Sequence, residues 1–138
     1  MRITVDTNLL ISATFWYGDS NKIIDMVEKK EIELVLSKDI IDEFRAVLEY
    51  DEIKEKIRKK NLEMAWTIEK IKEISTIIEP SEELKVVKDD PDDDKILECA
   101  AEAKVDFIVS KDNHLLKLQK YGIIKILNPS DFLKQLHG

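Results

Sequence analysis

Short apolar runs alternate with amphipathic helical stretches along almost the whole chain, and this alternation limits the possible folds more than any other feature. Apolar runs of strand length predict strands at residues 3–5, 32–36, 76–78, 106–110 and 123–127. Helical periodicity predicts helices at 22–30, at 39–50, as a pair within 51–74 that meets near Asn61, from Pro91 to about 104, at about 115–119, and from Ser130. Strands that alternate with helices form βαβ units, in which helices cover both faces of a parallel sheet. The sequence therefore predicts an α/β fold with a parallel sheet of about five strands.

The length of 138 residues is that of a single domain, since domains usually contain about 100 to 200 residues. We find no internal repeat, no low-complexity tract and no Gly/Ser-rich linker, and we interpret residues 81–90 as a polar connection. We therefore expect residues 1–138 to form one domain.

Acidic residues outnumber basic residues by 29 to 22, which gives a net charge of −7. This balance argues against a basic protein that binds nucleic acid or anionic membranes through general charge attraction. It does not exclude an enzyme that acts on nucleic acid, because bound divalent cations invert the electrostatics of an acidic site.

Three features predict a cytoplasmic protein with no membrane partner. Cys99 is the single cysteine, so no internal disulfide can form, and this favours a reducing compartment. The N-terminus enters a strand at once, without the basic region and apolar run of a signal peptide. No stretch reaches the roughly 18 uninterrupted apolar residues that a membrane span requires.

Two acidic residues follow predicted strands directly or closely. Asp6 comes after Val5, and Asp112 comes shortly after Val109. The carboxyl ends of parallel strands lie at one edge of the sheet, which is where open α/β sheets bind ligands. Asp6 could equally be a turn or N-cap residue, and Asp112 could be the N-cap of the helix through Leu115 and Leu116, so position alone leaves the structural and functional interpretations open.

Two further acidic residues belong to predicted helices. Asp93, within the acidic run 89–94, would lie on the apolar face of its helix beside Leu97 and Ala100. The alternative is helix capping, which accounts for one or two acids of this run but not for all five. Glu43 lies on the flank of an apolar stripe, where a carboxylate needs a base, a hydrogen-bond network or a metal ion. For Glu43 alone, an ion pair at the edge of the stripe is the favoured interpretation.

Together, the four acids form the oxygen-only ligand set of a hard cation. Such a set favours Mg²⁺ or Mn²⁺ over Zn²⁺, which prefers histidine and cysteine ligands. The histidines agree with this choice, since His137 is close to the C-terminus and only His114 lies near the predicted site.

Five segments of the sequence resemble those of the PIN-domain nucleases, in particular the VapC-like toxin ribonucleases of the PilT N-terminus-like group. The matching segments are residues 5–8, 37–48, 90–100, 107–116 and 126–133. They occur in the order and with the spacing of the family, and they extend over almost the whole chain. The resemblance implies a PIN-like fold, which is a Rossmann-like three-layer arrangement.

The resemblance also implies an activity and a site. Members of the family bind one or two Mg²⁺ or Mn²⁺ ions and cleave phosphodiesters, usually in single-stranded RNA. The residues implied as metal ligands and catalytic groups are Asp6, Glu43, Asp93 and Asp112, and those implied as supporting residues are Asn8, Ser110 and Asp94. Homodimers are frequent in the family, and toxin members bind a small antitoxin protein that blocks the site. The resemblance therefore predicts a metal-dependent endoribonuclease that is the toxin of a toxin–antitoxin system.

The sequence departs from the family pattern at two places. His114 stands where many relatives have another aspartate, so a fifth acid is either missing or replaced by Asp94. The continuous acidic run also leaves open whether Asp92 or Asp94 shares the role of Asp93.

Two other functions remain as alternatives, and the sequence argues against a third. A phosphatase or phosphotransferase of the haloacid-dehalogenase type would use Asp6 as a nucleophile, but it needs a second aspartate where this chain has Asn8. A response-regulator receiver needs an aspartate after its third strand, and Glu79 follows instead. A non-catalytic PIN-like module would bind a partner through the apolar residues Ile57, Met64, Trp66 and Ile68, although ordinary core packing explains this stripe better.

Overall fold

A computed structural model of the chain describes residues 1–79 and 91–137, with the side chains of residues 91–93 excepted. In this part of the chain, six strands and eight helices follow one another. The strands are β1 (Arg2–Val5), β2 (Glu33–Ser37), β3 (Ser75–Ile78), β4 (Phe107–Val109), β5 (Lys120–Tyr121) and β6 (Ile124–Leu127). The helices are α1 (Thr7–Phe15), α2 (Asp19–Glu28), α3 (Lys38–Leu48), α4 (Asp51–Lys59), α5 (Met64–Ile74), α6 (Pro91–Ala103), α7 (Asn113–Leu116) and α8 (Pro129–His137).

The strands form one sheet in the order β3-β2-β1-β4-β6-β5. All neighbouring strands are parallel except β5 and β6, which pair antiparallel around a turn at Gly122. The backbone of Gly122 has a φ of 62°, a conformation that glycine adopts at little cost. This largely parallel sheet flanked by helices confirms the predicted α/β fold, and it is consistent with a PIN-like three-layer arrangement.

Helices cover both faces of the central strand β1. The side chain of Thr4 contacts Cys99 of α6, with 3.6 Å between the hydroxyl oxygen and the sulfur. Because side chains alternate along a strand, Ile3 and Val5 point to the opposite face, and both are completely buried. A parallel sheet that is covered on both faces needs such continuously apolar strands.

Two elements were not predicted from the sequence. Helix α1 occupies residues that suggested only a turn or cap, and β5 is a two-residue strand too short for a periodic signal. Helix α1 was not predicted because it is buried on several sides. Its buried residues are Thr7, Leu9, Leu10, Ile11, Ala13 and Phe15. The apolar residues surround most of this helix and leave only a narrow polar face at Asn8 and Ser12, so the amphipathic stripe from which helices are recognised is indistinct.

The apolar stripe of α4 and α5 belongs largely to the core. Ile57 and Ile68 are buried, and Met64 packs against the buried residues, whereas Trp66 is exposed. The two helices are separated near Asn61, as predicted, and Asn61 has a positive φ of 56°. The polar connection predicted for residues 81–90 lies outside the described residues. Within the described ranges, no helix is long and apolar enough to span a bilayer.

Candidate active site

The order of the strands reverses direction between β1 and β4. From β1 the chain proceeds outward to β2 and β3, and it then returns to place β4 on the other side of β1. In an open parallel sheet, ligands bind in the crevice at such a switch point, outside the carboxyl ends of the strands. Val5 and Val109 are paired across β1 and β4, so the residues that follow them, Asp6 and Ser110, meet at this crevice.

Asp6 is buried at the switch point, with only 4% of its surface exposed. One carboxylate oxygen, Oδ1, accepts a hydrogen bond from the backbone N–H of Leu9 at 2.8 Å, which makes Asp6 the N-cap of α1. The other oxygen, Oδ2, accepts a hydrogen bond from the hydroxyl of Ser110 at 2.5 Å. These two bonds hold the carboxylate in one orientation at the end of β1.

Ser110 connects Asp6 to Asp112. The hydroxyl oxygen of Ser110 accepts a hydrogen bond from the backbone N–H of Asp112 at 2.9 Å. The Asp112 carboxylate in turn accepts from the backbone N–H of His114 at 2.7 Å and caps α7. Both aspartates are therefore N-caps, as the structural interpretation predicted. An ionised carboxylate has about four lone-pair positions, so a carboxylate that caps a helix can still bind a metal ion.

The electrostatic environment of Asp6 favours a bound cation. Burial is the largest influence and raises the pKa of the Asp6 carboxyl above its ordinary value of 3.8, and the nearby Asp112 charge raises it further. Hydrogen bonds from Ser110, Leu9 and the backbone of Lys111 oppose this shift without cancelling it. A buried carboxylate beside another carboxylate is unfavourable until a positive charge arrives.

The first turn of helix α6 lies at the same edge of the sheet. Its last residue, Ala103, accepts a hydrogen bond from the side chain of Arg2 at the start of β1, and Cys99 contacts Thr4 farther along that strand. The helix therefore runs antiparallel to β1. From Cys99 back to Asp94 the helix rises about 7.5 Å, and from Thr4 to Asp6 the strand rises about 6.6 Å. The first turn of α6 thus lies level with Asp6.

Of the acids in the run 89–94, Asp94 has a described side chain, and that side chain is only 7% exposed. It lies one turn before the buried Leu97, on the flank of the apolar stripe. The Asp93 side chain, predicted as the ligand from α6, lies outside the described residues, as does that of Asp92. The spacing of three residues between Asp94 and Leu97 is a sequence signal that could have predicted the inward position of Asp94. The sequence analysis assigned Asp94 only a supporting role.

The remaining predicted residues lie on helices that surround the crevice. Glu43 is partly buried on α3, between Ile40 and Val47, as its position on the flank of the stripe predicted. Helix α3 contacts both α1 and α6, the helices that begin at the crevice. Asn8 is exposed in the first turn of α1.

The donors at this edge suit a hard cation. Asp6, Asp112 and Ser110 offer oxygen atoms, and Asp94 and Glu43 add carboxylates on the adjoining helices. Oxygen donors of this kind are the ligands of Mg²⁺ and Mn²⁺. No three acidic, histidine or cysteine side chains in the described ranges already stand in a metal-binding arrangement. The chemistry of the donors fits a divalent cation, and its binding requires the carboxylates to converge.

Comparison with known proteins identifies the family. A family model of the PIN domain matches residues 2–114. PIN domains are generally nucleases that act on nucleic acids, commonly with divalent metal ions. Comparison with curated proteins gives no match. The matched span covers more than half of the chain and includes Asp6, Glu43, Asp94 and Asp112, and the chain belongs to the PIN domain family.

Proposed function

We propose that this PIN domain is a divalent-metal-dependent endoribonuclease that hydrolyses phosphodiester bonds in single-stranded RNA. The observation that carries the proposal is the buried Asp6 carboxylate at the switch point, hydrogen-bonded to Ser110 and close enough to Asp112 for the two charges to interact. Helix capping accounts for the position of each acid, but it does not compensate the charge of the buried Asp6 beside the partly buried Asp112, which is unfavourable without a cation.

The proposed metal ligands and catalytic residues are Asp6, Glu43, Asp93 and Asp112, supported by Asn8, Ser110 and Asp94. When bound, one or two Mg²⁺ or Mn²⁺ ions supply an activated water molecule and neutralise charge on the phosphate. Ser110 orients two ligands at once, since its hydroxyl donates to Asp6 and accepts from the backbone of Asp112. Asn8 is exposed beside the crevice, where its amide can orient the substrate or a water molecule.

Two properties of the chain support a single-stranded substrate. The net charge of −7 leaves little general attraction for nucleic acid in the absence of metal. Duplex RNA is recognised through contacts spread over its grooves and phosphates, and the sequence contains no long basic stripe for them. A flexible strand can instead bend one phosphate into a crevice lined by acids.

The resemblance to VapC-like toxins extends the proposal to partners. We propose that the chain forms a homodimer and that a small antitoxin protein blocks the crevice. The support is the order and spacing of the five matching sequence segments. Size measurement of the purified chain, alone and with the product of a neighbouring gene, tests both associations.

The function is tested by cleavage of an unstructured RNA oligonucleotide in Mn²⁺, with the Asp6→Asn variant as control. We expect cleavage by the parent protein, none by the variant, and none in EDTA after dialysis. The same oligonucleotide annealed to its complement should be cut far more slowly. Full activity in EDTA would rule out the metal mechanism, and equal rates on the two substrates would rule out the proposed preference for single strands.

A pair of variants decides which acid of α6 acts as a ligand. Asp93→Asn and Asp94→Asn make the same chemical change at adjacent positions. The residue that binds metal should lose Mn²⁺ affinity, measured by calorimetry, while the stability of the metal-free protein is kept or raised. If Asp93→Asn unfolds the protein and leaves metal affinity unchanged, Asp93 is a structural cap and Asp94 takes its place in the proposed site.

The alternative phosphatase activity has less support from the structure. A nucleophilic Asp6 would have to be accessible to its substrate, but its carboxylate is buried and both oxygens already accept hydrogen bonds. The position two residues later is Asn8 rather than a second acid. Hydrolysis of a general phosphatase substrate at rates above that of RNA would favour this alternative.

A further inference from the structure

A groove of about 490 Å³ runs along α1 and opens beside the proposed nuclease site. Asn8, in the first turn of α1, lines one end of the groove, and so does Lys111, the residue before Asp112. Trp16 and Tyr17, directly after α1, line the other end. Because Asn8 and Lys111 are close neighbours of Asp6 and Asp112 along the chain, this end of the groove lies next to the proposed site.

The residues of α1 that line the groove are regularly spaced. Asn8, Ser12 and Trp16 are spaced four residues apart, so they lie on one face of the helix and its end. From Asn8 to Trp16 this face is about 12 Å long. The ammonium group of Lys111 donates a hydrogen bond to the hydroxyl of Ser12 at 3.1 Å, which places a positive charge partway along the wall. A chain that enters from the acidic crevice meets this cation first.

The far end of the groove presents two aromatic side chains to solvent. Trp16 is 50% exposed and Tyr17 is 97% exposed. The ammonium group of Lys56 lies 4.0 Å from the centre of the Trp16 ring, so a second cation accompanies the aromatic pair. Exposed aromatic rings combined with lysines are how single-stranded nucleic acids are held, with bases stacked on rings and phosphates near cations.

A buried hydroxyl also lines the groove. Among the described residues, the side-chain oxygen of Ser20 finds no hydrogen-bond partner although it is buried. An unsatisfied buried hydroxyl costs free energy, which a polar ligand group relieves after a rotation of the side chain. The neighbouring Asp19 carboxylate repels phosphate, so this wall suits the polar edge of a base rather than the backbone.

We infer that this groove binds a nucleotide that flanks the scissile phosphate of single-stranded RNA, an inference that rests on the proposed nuclease function. The backbone phosphate lies near Lys111, the base stacks on Trp16 or Tyr17, and the base edge faces Ser20. Because a base must be unpaired in order to stack on a side chain, the groove gives a physical reason for a preference for single strands.

The first test uses the fluorescence of Trp16. The chain has two tryptophans, so the double variant Asp6→Asn, Trp66→Phe retains Trp16 as the sole tryptophan reporter and does not cleave its ligand. Titration with a short oligouridylate in Mg²⁺ should quench this fluorescence to saturation. The matched variant Asp6→Asn, Trp16→Phe retains Trp66, which lines a different cavity between α1, α2 and α5, and its signal should not change.

The second test compares two exposed tyrosines in the active enzyme. Tyr17→Ala should raise KM for the oligouridylate about fivefold or more, the lower end of the effect of base stacking, with a smaller change in kcat. Tyr50→Ala removes a tyrosine that is 60% exposed outside the groove, and its kinetics should match those of the parent. Lys111→Gln should also raise KM and reduce the salt dependence of binding by about one phosphate contact.

The outcomes separate this inference from the nuclease proposal. If the parent cleaves RNA but Trp16 is not quenched and Tyr17→Ala keeps the parental KM, the groove inference is wrong and the nuclease stands. If no RNA is cleaved but Trp16 is quenched to saturation, the groove is upheld as an RNA-binding site and the nuclease proposal is wrong. Equal quenching by the annealed duplex would overturn the inference, because paired bases cannot stack on the rings.

Discussion

The two ends of the strand pair β1 and β4 differ in how their charges are compensated. At the amino end, Arg2 pairs with Glu33 at 2.8 Å, and the backbone N–H of Arg2 donates to Asp106 at 2.9 Å. These groups are exposed, and each charge meets an opposite charge or a donor of the same chain. At the carboxyl end, the buried Asp6 is held by a hydroxyl and by backbone N–H groups, and the charge of Asp112 adds to its own.

This difference indicates which end of the sheet is built for a ligand. At the amino end the charges are compensated within the chain by the Arg2–Glu33 ion pair and the hydrogen bond to Asp106, and an exposed ion pair contributes little to stability. The carboxyl end holds two negative charges in a position where they oppose each other. An arrangement that is unfavourable without a partner is typical of a functional site, because binding of the partner removes the conflict.

The largest expected effect is a difference in RNA cleavage between variants at the carboxyl end and variants at the amino end of β1 and β4. Asp6→Asn should lower RNA cleavage by more than about 100-fold, because even the loss of residues that merely orient metal ligands costs about 10- to 100-fold. The control is Glu33→Gln, which removes an acid at the amino end and should leave the rate unchanged. Initial rates at saturating Mn²⁺ provide the measurement. Equal losses in both variants would mean that the carboxyl end has no special role.

A second prediction concerns the hydroxyl that joins the two aspartates. Ser110→Ala should reduce activity about 10- to 100-fold, since the Asp6 and Asp112 ligands lose their common hydrogen-bond partner. Thr76→Ala is the matched change at the amino end, where a hydroxyl donates to Glu33 at 3.1 Å. We expect that variant to retain full activity. Weaker Mn²⁺ binding by Ser110→Ala, measured by calorimetry, would locate the loss in the metal site.

A third prediction uses the raised pKa of Asp6. Because the native protein holds this proton more tightly than the unfolded chain, the ionised carboxylate destabilises the metal-free protein at neutral pH. Asp6→Asn should therefore be more stable than the parent at pH 7 in EDTA. The difference should shrink as the pH falls through the raised pKa and level off well below 3.8, where both states of the parent are protonated.

Urea unfolding across this pH range measures the difference. A less stable Asp6→Asn protein at pH 7 would show that the hydrogen bond to the N-terminus of α1 outweighs the electrostatic conflict. Asp6 would then be primarily a helix cap. Asp106→Asn, which changes an exposed acid at the amino end, controls for a general effect of removing negative charge.

The smallest expected effect lies at the amino end. Arg2 and Glu33 have exposed side chains, so breaking their ion pair with Glu33→Gln should cost about 0.2 to 1 kcal/mol of unfolding free energy. Added salt should reduce this cost, because exposed charges are screened. Urea unfolding at low and high salt checks both statements. A loss well above this range would show that the pair organises the start of the sheet.

Hydrophobic periodicity in the sequence predicted most helices and strands of the fold. It failed for elements that are buried on several sides or are only a few residues long. Helix α3 was predicted to within two residues at each end, because its apolar stripe through Ile40 and Phe44 faces the core and its other side faces solvent. Helix α1 was missed because Leu9, Leu10 and Ile11 are all buried, so its polar face is too narrow to mark the helical period. Strand β5 contains only two residues and depends on pairing with β6.

For the candidate site as well, the sequence indicated some residues and left others open. Asp6 and Asp112 were singled out because acids at strand ends are recognisable from local sequence. The choice among the acids of α6 could not be made in the same way, since neighbouring residues in a helix differ by about 100° and a continuous run of acids does not fix which one faces the core. The groove beside α1 was not predicted, because it depends on the direction that the chain takes at Gly18 before α2 begins.

The sequence by itself determined the alternation of strands and helices, the covering of the sheet on both faces, and the kind of atoms offered to a ligand. These follow from hydrophobic periodicity and side-chain chemistry, which act over a few residues. The tertiary structure decided that β1 lies between β2 and β4, and hence that Asp6 meets Ser110, a residue 104 positions away. Strand order depends on packing between distant segments, which no local pattern encodes, and the crevice exists only where that order reverses.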